Sequence, residues 1–202
     1  MSIRILVAEN YPPLRRALRC FLKRNADMEV VGEAADGHEA VRQCLQSRPD
    51  VVTMDVRMPG VDGIQAAGQI STLMPQVAIL AVSGEATLWS VDEMFVAGAS
   101  GYILKEFLDE DLEPALRTLA CGGAFLGRLV IDKVLAHRNN DRNPLSQREA
   151  AVLRDLAQGW SREQIARHLH LTPGILGQML HSLRQNASTS AIARLVNHEE
   201  SE

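Results

Sequence analysis

Two hydrophobic periodicities alternate over the first 120 residues. Short runs of apolar, mostly β-branched residues lie at 3–8, 29–33, 51–55, 77–82 and 101–104. Between them, 13–25, 37–47, 62–73, 88–97 and 110–121 carry helical spacing, and Leu14, Leu18, Phe21 and Leu22 share one helix face. Five strands alternating with five helices predict a doubly wound, five-stranded parallel sheet covered on both faces. Ligands of such α/β sheets bind beyond the C-terminal strand ends, at a topological switch point. That rule singles out Glu9 and Asn10, Asp55, Ser83 and Lys105.

The pattern then changes. Gly122-Gly123 stops the fifth helix. A short helix is predicted around 131–137, followed by a polar run at 138–143 that ends at Pro144. From there only helical signals remain, predicting a small all-α unit. Ser146-Gln147-Arg148-Glu149 and Ser161-Arg162-Glu163-Gln164 read as capping boxes. Thr172-Pro173 places a cap residue before a first-turn proline. Gly159 and the residues around Leu171 separate three helices, and Ser190 is expected to cap a fourth.

Charge sharpens this division. The 202 residues carry 21 Lys and Arg against 25 Asp and Glu, a net −4. Residues 1–127 are net −6, whereas 143–198 are net +3. An acidic front and a mildly basic rear predict two domains with different partners. Cys20, Cys44 and Cys121 have no metal-ligand or redox spacing and read as small buried apolar residues. The start of the chain has too short an apolar run for a signal peptide, and no stretch reaches the ~18 apolar residues of a membrane span. A cytoplasmic location is expected.

Asp55 closes an apolar run and precedes Arg57-Met58-Pro59-Gly60, which exposes its carboxylate at the crevice and fixes it. Alone, it would serve equally well as a turn cap. The fold rule brings Glu9, Asn10, Ser83 and Lys105 to the same edge. Two carboxylates and an amide oxygen suit Mg²⁺ with several waters, while a lysine and a hydroxyl flank an added anion.

These residues resemble those of a two-component response regulator of the NarL/FixJ type. Three segments carry the resemblance in the front half: Val30–Gly37, Asp50–Gly63 (DVVTMDVRMPGVDG) and Gly98–Lys105. In the rear half, 145–153 and 156–166 resemble the opening and scaffold helices of a LuxR-type helix-turn-helix. The resemblance implies a flavodoxin-like α/β receiver at 1–123, a linker at 124–143 and a DNA-binding domain at 144–198. It implies that Asp55 accepts a phosphoryl group from a histidine kinase, with Mg²⁺ held by Glu9, Asn10, Asp55 and the Arg57 carbonyl. Ser83 and Lys105 would bind the phosphoryl oxygens, and the Tyr102 ring would turn inward as Ser83 moves. The protein would then be no enzyme in its own right, but a phosphorylation-dependent homodimer regulating transcription.

Two departures bear on that reading. The family pattern has two aspartates after the first strand; here they are Glu9 and Asn10, which removes one formal charge and predicts weak Mg²⁺ binding. In the third helix of the rear domain, expected at 172–186 in the major groove, Gly177 and Met179 replace the lysine and histidine of the pattern. Gly177 costs about 1 kcal/mol of helix stability relative to alanine. Gln178, His181, Arg184 and Gln185 remain to face DNA, though a solvated helix face accounts for them nearly as well. The alternative is therefore a regulator acting through protein contacts, with degenerate base readout or without phosphorylation. Trp160 is expected in the core, and His168 and His170 at the surface.

Overall fold

A computed structural model describes residues 2–138, 145–185, 187 and 189–197. All but the first residue of the polar run at 138–143, with Pro144 and the acidic tail at 198–202, lies outside the described residues. Strands β1 (Ile3–Ala8), β2 (Met28–Ala34), β3 (Val51–Asp55), β4 (Ala78–Ser83), β5 (Gly101–Leu104) and β6 (Phe125–Leu126) form one parallel sheet in the order β2-β1-β3-β4-β5-β6. Chain order reverses at β1, between β2 and β3, so the ligand crevice opens there.

The alternation of side chains along each strand divides the core in two. Ile5 and Val7 of β1 join Leu80, Val82 and Ile103 on one face. There they meet Leu18 and Leu22 of α1 (Pro12–Leu22) and Leu112, Ala115, Leu116 and Leu119 of α5 (Leu108–Ala120). Leu6 and Ala8 turn to the other face with Val52, Met54, Ile79, Ala81 and Tyr102. That face is covered by α2 (Gly37–Ser47), α3 (Gly63–Leu73) and α4 (Leu88–Val96). Asp36, Asp62 and Thr87 cap these three helices with their own side chains, which fixes where each begins.

The predicted five-stranded sheet has a sixth strand. Phe125 and Leu126, just beyond Gly122-Gly123, pair with Gly101 and Tyr102 of β5. Two residues show no periodicity, so the pattern could not announce them. α6 (Arg128–Arg138) follows and packs against β5 and α7 (Gln147–Ala157). The remaining helices are α8 (Arg162–His168), α9 (Pro173–Gln185) and α10 (Ser190–Asn197). Both capping boxes form as read, at Ser146/Glu149 and Ser161/Gln164. Thr172 Oγ1 caps Ile175 N of α9. At α10 the local cap is Thr189, whose Oγ1 accepts from Ile192 N at 3.2 Å, rather than Ser190. Gly159 has φ +75°, and a Cβ there would lie 2.5 Å from Thr118 Oγ1 on α5, so the turn needs glycine on both counts.

Two expectations about packing are corrected. Cys44 is buried, its thiol raised to about 11 by desolvation, but Cys20 on α1 and Cys121 in the turn that ends α5 are exposed. Trp160 lies at the edge, 37% exposed, its ring 4.9 Å from that of His168. It follows the Gly159 turn and so projects beside the helix ends rather than between them. His168 is at the surface, with Nδ1 2.8 Å from Asp155 Oδ2.

Candidate functional site

The C-terminal ends of β1, β3, β4 and β5 converge on a shallow cleft of about 380 Å³ lined by Asn10, Asp55, Arg57, Ser83, Gly84, Glu85 and Lys105. All five strand-end residues read from the sequence gather at this edge: Asn10, Asp55, Ser83 and Lys105 line the cleft, and Glu9 joins it through Lys105. Lys105 begins the 3₁₀ turn after β5 and extends its ammonium across the end of β4. Nζ stands 2.8 Å from Asp55 Oδ2 and 2.8 Å from Glu9 Oε2. The two carboxylates are only 4% and 1% exposed, while Lys105 keeps a quarter of its side-chain surface in water.

Each carboxylate is also gripped by backbone. Asp55 Oδ1 accepts from Arg57 N at 3.1 Å, and Glu9 Oε1 from Tyr11 N at 2.9 Å. Gly63 packs so closely beneath that a Cβ would lie 2.1 Å from the Asp55 carbonyl oxygen. The end of β3 therefore cannot shift without displacing α3. Glu9 Oε2 has the ammonium as its one close partner and, although sealed from water, makes no hydrogen bond of good geometry. Burial raises the Glu9 pKa above the usual glutamate range, against the lowering pull of Lys105 and the Tyr11 amide. Burial would lower the Lys105 pKa, but its hydrogen bond to Asp55 and its close pairing with Glu9 carry it upward.

Ser83 closes β4 beside Asp55 and accepts from Glu85 N at 3.3 Å. Tyr102 is fully buried: its hydroxyl donates to the Glu85 carbonyl at 2.8 Å and lies 3.1 Å from Ser90 Oγ. The ring already occupies the inward position expected to follow movement of Ser83. Three residues around it were not picked out from the sequence. Glu85 ion-pairs with Arg57 across the cleft mouth and supplies the Tyr102 acceptor; Ser90, bonded to the Thr87 cap, fixes the Tyr102 hydroxyl. The Thr87-x-x-Ser90 spacing was the available signal, a cap at the start of α4.

On α9, Gln178, His181 and Gln185 are exposed on one face, with Gln185 Nε2 2.9 Å from His181 Nε2. Arg184 does not join them. Its Nε and Nη2 donate to the Val196 carbonyl of α10 at 3.2 and 3.1 Å, because position 184 lies on the side of α9 that faces α10. Met179 packs against the core, and a Cβ on Gly177 would meet open space.

Comparison with known proteins agrees with this architecture. Residues 5–117 match the response regulator receiver domain, and residues 143–174 match the luxR family of bacterial regulatory proteins. The second match ends at Gly174, before most of α9, where the residues depart from the family pattern. An uncharacterised transcriptional regulatory protein of Bacillus subtilis, YxjL, is 33% identical over 196 residues, 93% of this chain and 90% of that one. The response regulator protein VraR of Staphylococcus aureus is 30% identical over 175 residues, 85% of this chain and 84% of that one. A LuxR-family two-component response regulator from Aurantimonas sp. SI85-9A1 superposes with a TM-score of 0.65 at 29% identity, over 68% of this chain and 99% of that one. RcsB of Salmonella typhimurium shares the fold over 98% of this chain and 97% of its own, with a TM-score of 0.63 at 24% identity. The chain therefore belongs to the response regulators, with a receiver domain followed by a LuxR-type regulatory domain.

Proposed function

We propose that the receiver, residues 1–123, accepts a phosphoryl group on Asp55 from a partner histidine kinase. In this reading residues 124–143 link it to a DNA-binding domain at 144–198 that regulates transcription in the cytoplasm as a phosphorylation-dependent homodimer. The observation that carries the reading is the meeting of Asp55, Lys105 and Ser83 at one crevice mouth. An Asp55 carboxylate oxygen attacks the phosphorus of a phosphohistidine, forming the acyl phosphate as the P–N bond breaks and the imidazole leaves with a proton. Lys105 then turns from the carboxylate to an oxygen of the new phosphoryl group, and the Ser83 hydroxyl donates to another.

The residues present fit a weakly held Mg²⁺. Asn10 and Asp55 line the cleft, Glu9 Oε2 reaches its edge against the Lys105 ammonium, and with the Arg57 carbonyl these would make an all-oxygen set. Once bound, the ion would supply charge neutralisation for the phosphoryl oxygens. With Asn10 in place of a carboxylate, only Glu9 and Asp55 bring negative charge, so binding is weak.

On the rear domain, the exposed Gln178, His181 and Gln185 form the surface offered to the major groove, and Gln178 can read adenine with both ends of its amide. No membrane is a partner in this reading; among the described residues no helix is long and apolar enough to cross one. Titrating the full-length protein, with and without a small phosphodonor, against genomic fragments including the DNA beside its own gene tests the reading. Preference for particular fragments, strengthened by the phosphodonor, is expected. Equal affinity for every fragment and for random DNA would turn the assignment to action through protein contacts.

A further inference from the structure

α10 is held from outside its own domain. Its first amide, Ser190 N, donates to Asp92 Oδ1 on α4 at 2.8 Å, across 98 residues of sequence. This places a carboxylate at the positive end of the helix. One turn on, Arg194 Nη2 donates to Ser100 Oγ, just before β5, at 3.0 Å. α10 packs on α4 as well as on α7 and α9.

Both receiver grips stand two residues from the Tyr102–Ser90 pair. Ser100 immediately precedes β5, and Tyr102 lies two residues on within it. Asp92 lies about 200° round α4 from Ser90, so Ser90 meets the buried Tyr102 hydroxyl while Asp92 reaches α10. Any displacement of α4 or β5 at the Tyr102 hydroxyl thus moves both grips together. Meanwhile α9 packs on α8 and α10 and keeps Gln178, His181 and Gln185 exposed. Docking covers α10 and leaves the polar face of α9 open.

We propose that Asp92 and Arg194 form a two-point latch by which the receiver holds α10, that the Tyr102–Ser90 pair sets its strength, and that the latched chain keeps the α9 face accessible. The latch governs the mobility of the rear domain, not access to α9.

Hydrogen–deuterium exchange of the full-length chain tests this, comparing wild type with Asp92→Ala, the Asp92→Ala/Arg194→Ala double variant, Ser90→Ala and, as a control on the same helix, Glu93→Ala. Amides at the start of α10 should exchange roughly fivefold faster in Asp92→Ala and faster still in the double variant, with β3 unchanged. Ser90→Ala, which does not touch α10, should also speed it, and Glu93→Ala should not. Wild-type α10 rates in the double variant overturn the latch, and wild-type rates in Ser90→Ala overturn its control by Tyr102. Should the double variant lose protection in β3 as well, Arg194→Glu alone carries the test: faster α10 exchange with β3 intact supports the latch, and unchanged α10 exchange overturns it.

Discussion

Lys105 Nζ lies 2.8 Å from Asp55 Oδ2, so one ammonium spans the end of β4 and ties β5 to β3. The same ammonium balances Glu9, so one cation pairs with two buried carboxylates at the cleft. Removing it should leave both carboxylates uncompensated. Lys105→Ala should destabilise the receiver by about 1–3 kcal/mol at neutral pH, less than in a fully buried pair because Lys105 keeps contact with water. Chemical denaturation of the two proteins measures this.

The raised pKa values set the pH dependence. The folded chain holds the Lys105 proton more tightly than the unfolded chain, so this stabilisation is complete below the ordinary lysine pKa of about 10.4. It is lost as pH rises through the higher folded value. Glu9 runs the other way. Its pKa is raised by burial, so ionisation of Glu9 opposes folding, and stability is regained as pH falls through the raised value toward the ordinary ~4.3. Plots of stability against pH for Glu9→Gln and wild type should therefore differ in slope between the raised value and the ordinary ~4.3 and converge below it. Parallel curves would contradict the assignment.

Asn10 stands at the cleft where a carboxylate would add charge. Asn10→Asp should tighten Mg²⁺ binding by at least about tenfold. Calorimetric titration of the unphosphorylated protein reads this directly; equal affinities would place the ion elsewhere.

Ser83→Ala should leave phosphoryl incorporation intact but uncouple it from oligomeric state, since in the proposed reading its hydroxyl donates to the new oxygens. Light scattering after treatment with a phosphodonor would show a monomer where wild type shows a dimer. A normal shift to dimer would reduce Ser83 to the partner of the Glu85 amide.

The two polar groups of α9 should separate in experiment. Gln178→Ala and His181→Ala, at exposed positions, should each weaken specific DNA binding by ~1–3 kcal/mol with stability unchanged. Arg184→Ala should instead lower the stability of the rear domain by ~1–3 kcal/mol, because its guanidinium holds the Val196 carbonyl. Fluorescence-detected unfolding and DNA titration on the same variants distinguish the two.

Most of the sheet and its helices could be read from periodicity, because each strand alternates between two buried faces and several helices, α2, α3 and α4 among them, begin at a local cap. The strand-end rule then brought Asn10, Asp55, Ser83 and Lys105 to one cleft, with Glu9 beside it, without any contact being known. What escaped depends on tertiary context. β6 is two residues long, and its pairing to β5 is set by the position of α5. Arg184 has the composition of a phosphate contact, and only the docking of α10 turns it inward. Trp160 has the size of a core residue, yet the Gly159 turn leaves it at the edge. Ser90, Glu85 and Asp92 act through neighbours distant in sequence, which no local pattern encodes.

The central claim concerns Asp55 and is tested most directly by intact-mass spectrometry after incubation with a small phosphodonor and Mg²⁺. One added phosphoryl group on the wild-type chain, absent from Asp55→Asn, is the predicted result. No adduct at any Mg²⁺ concentration, or an adduct that persists in Asp55→Asn, would contradict it.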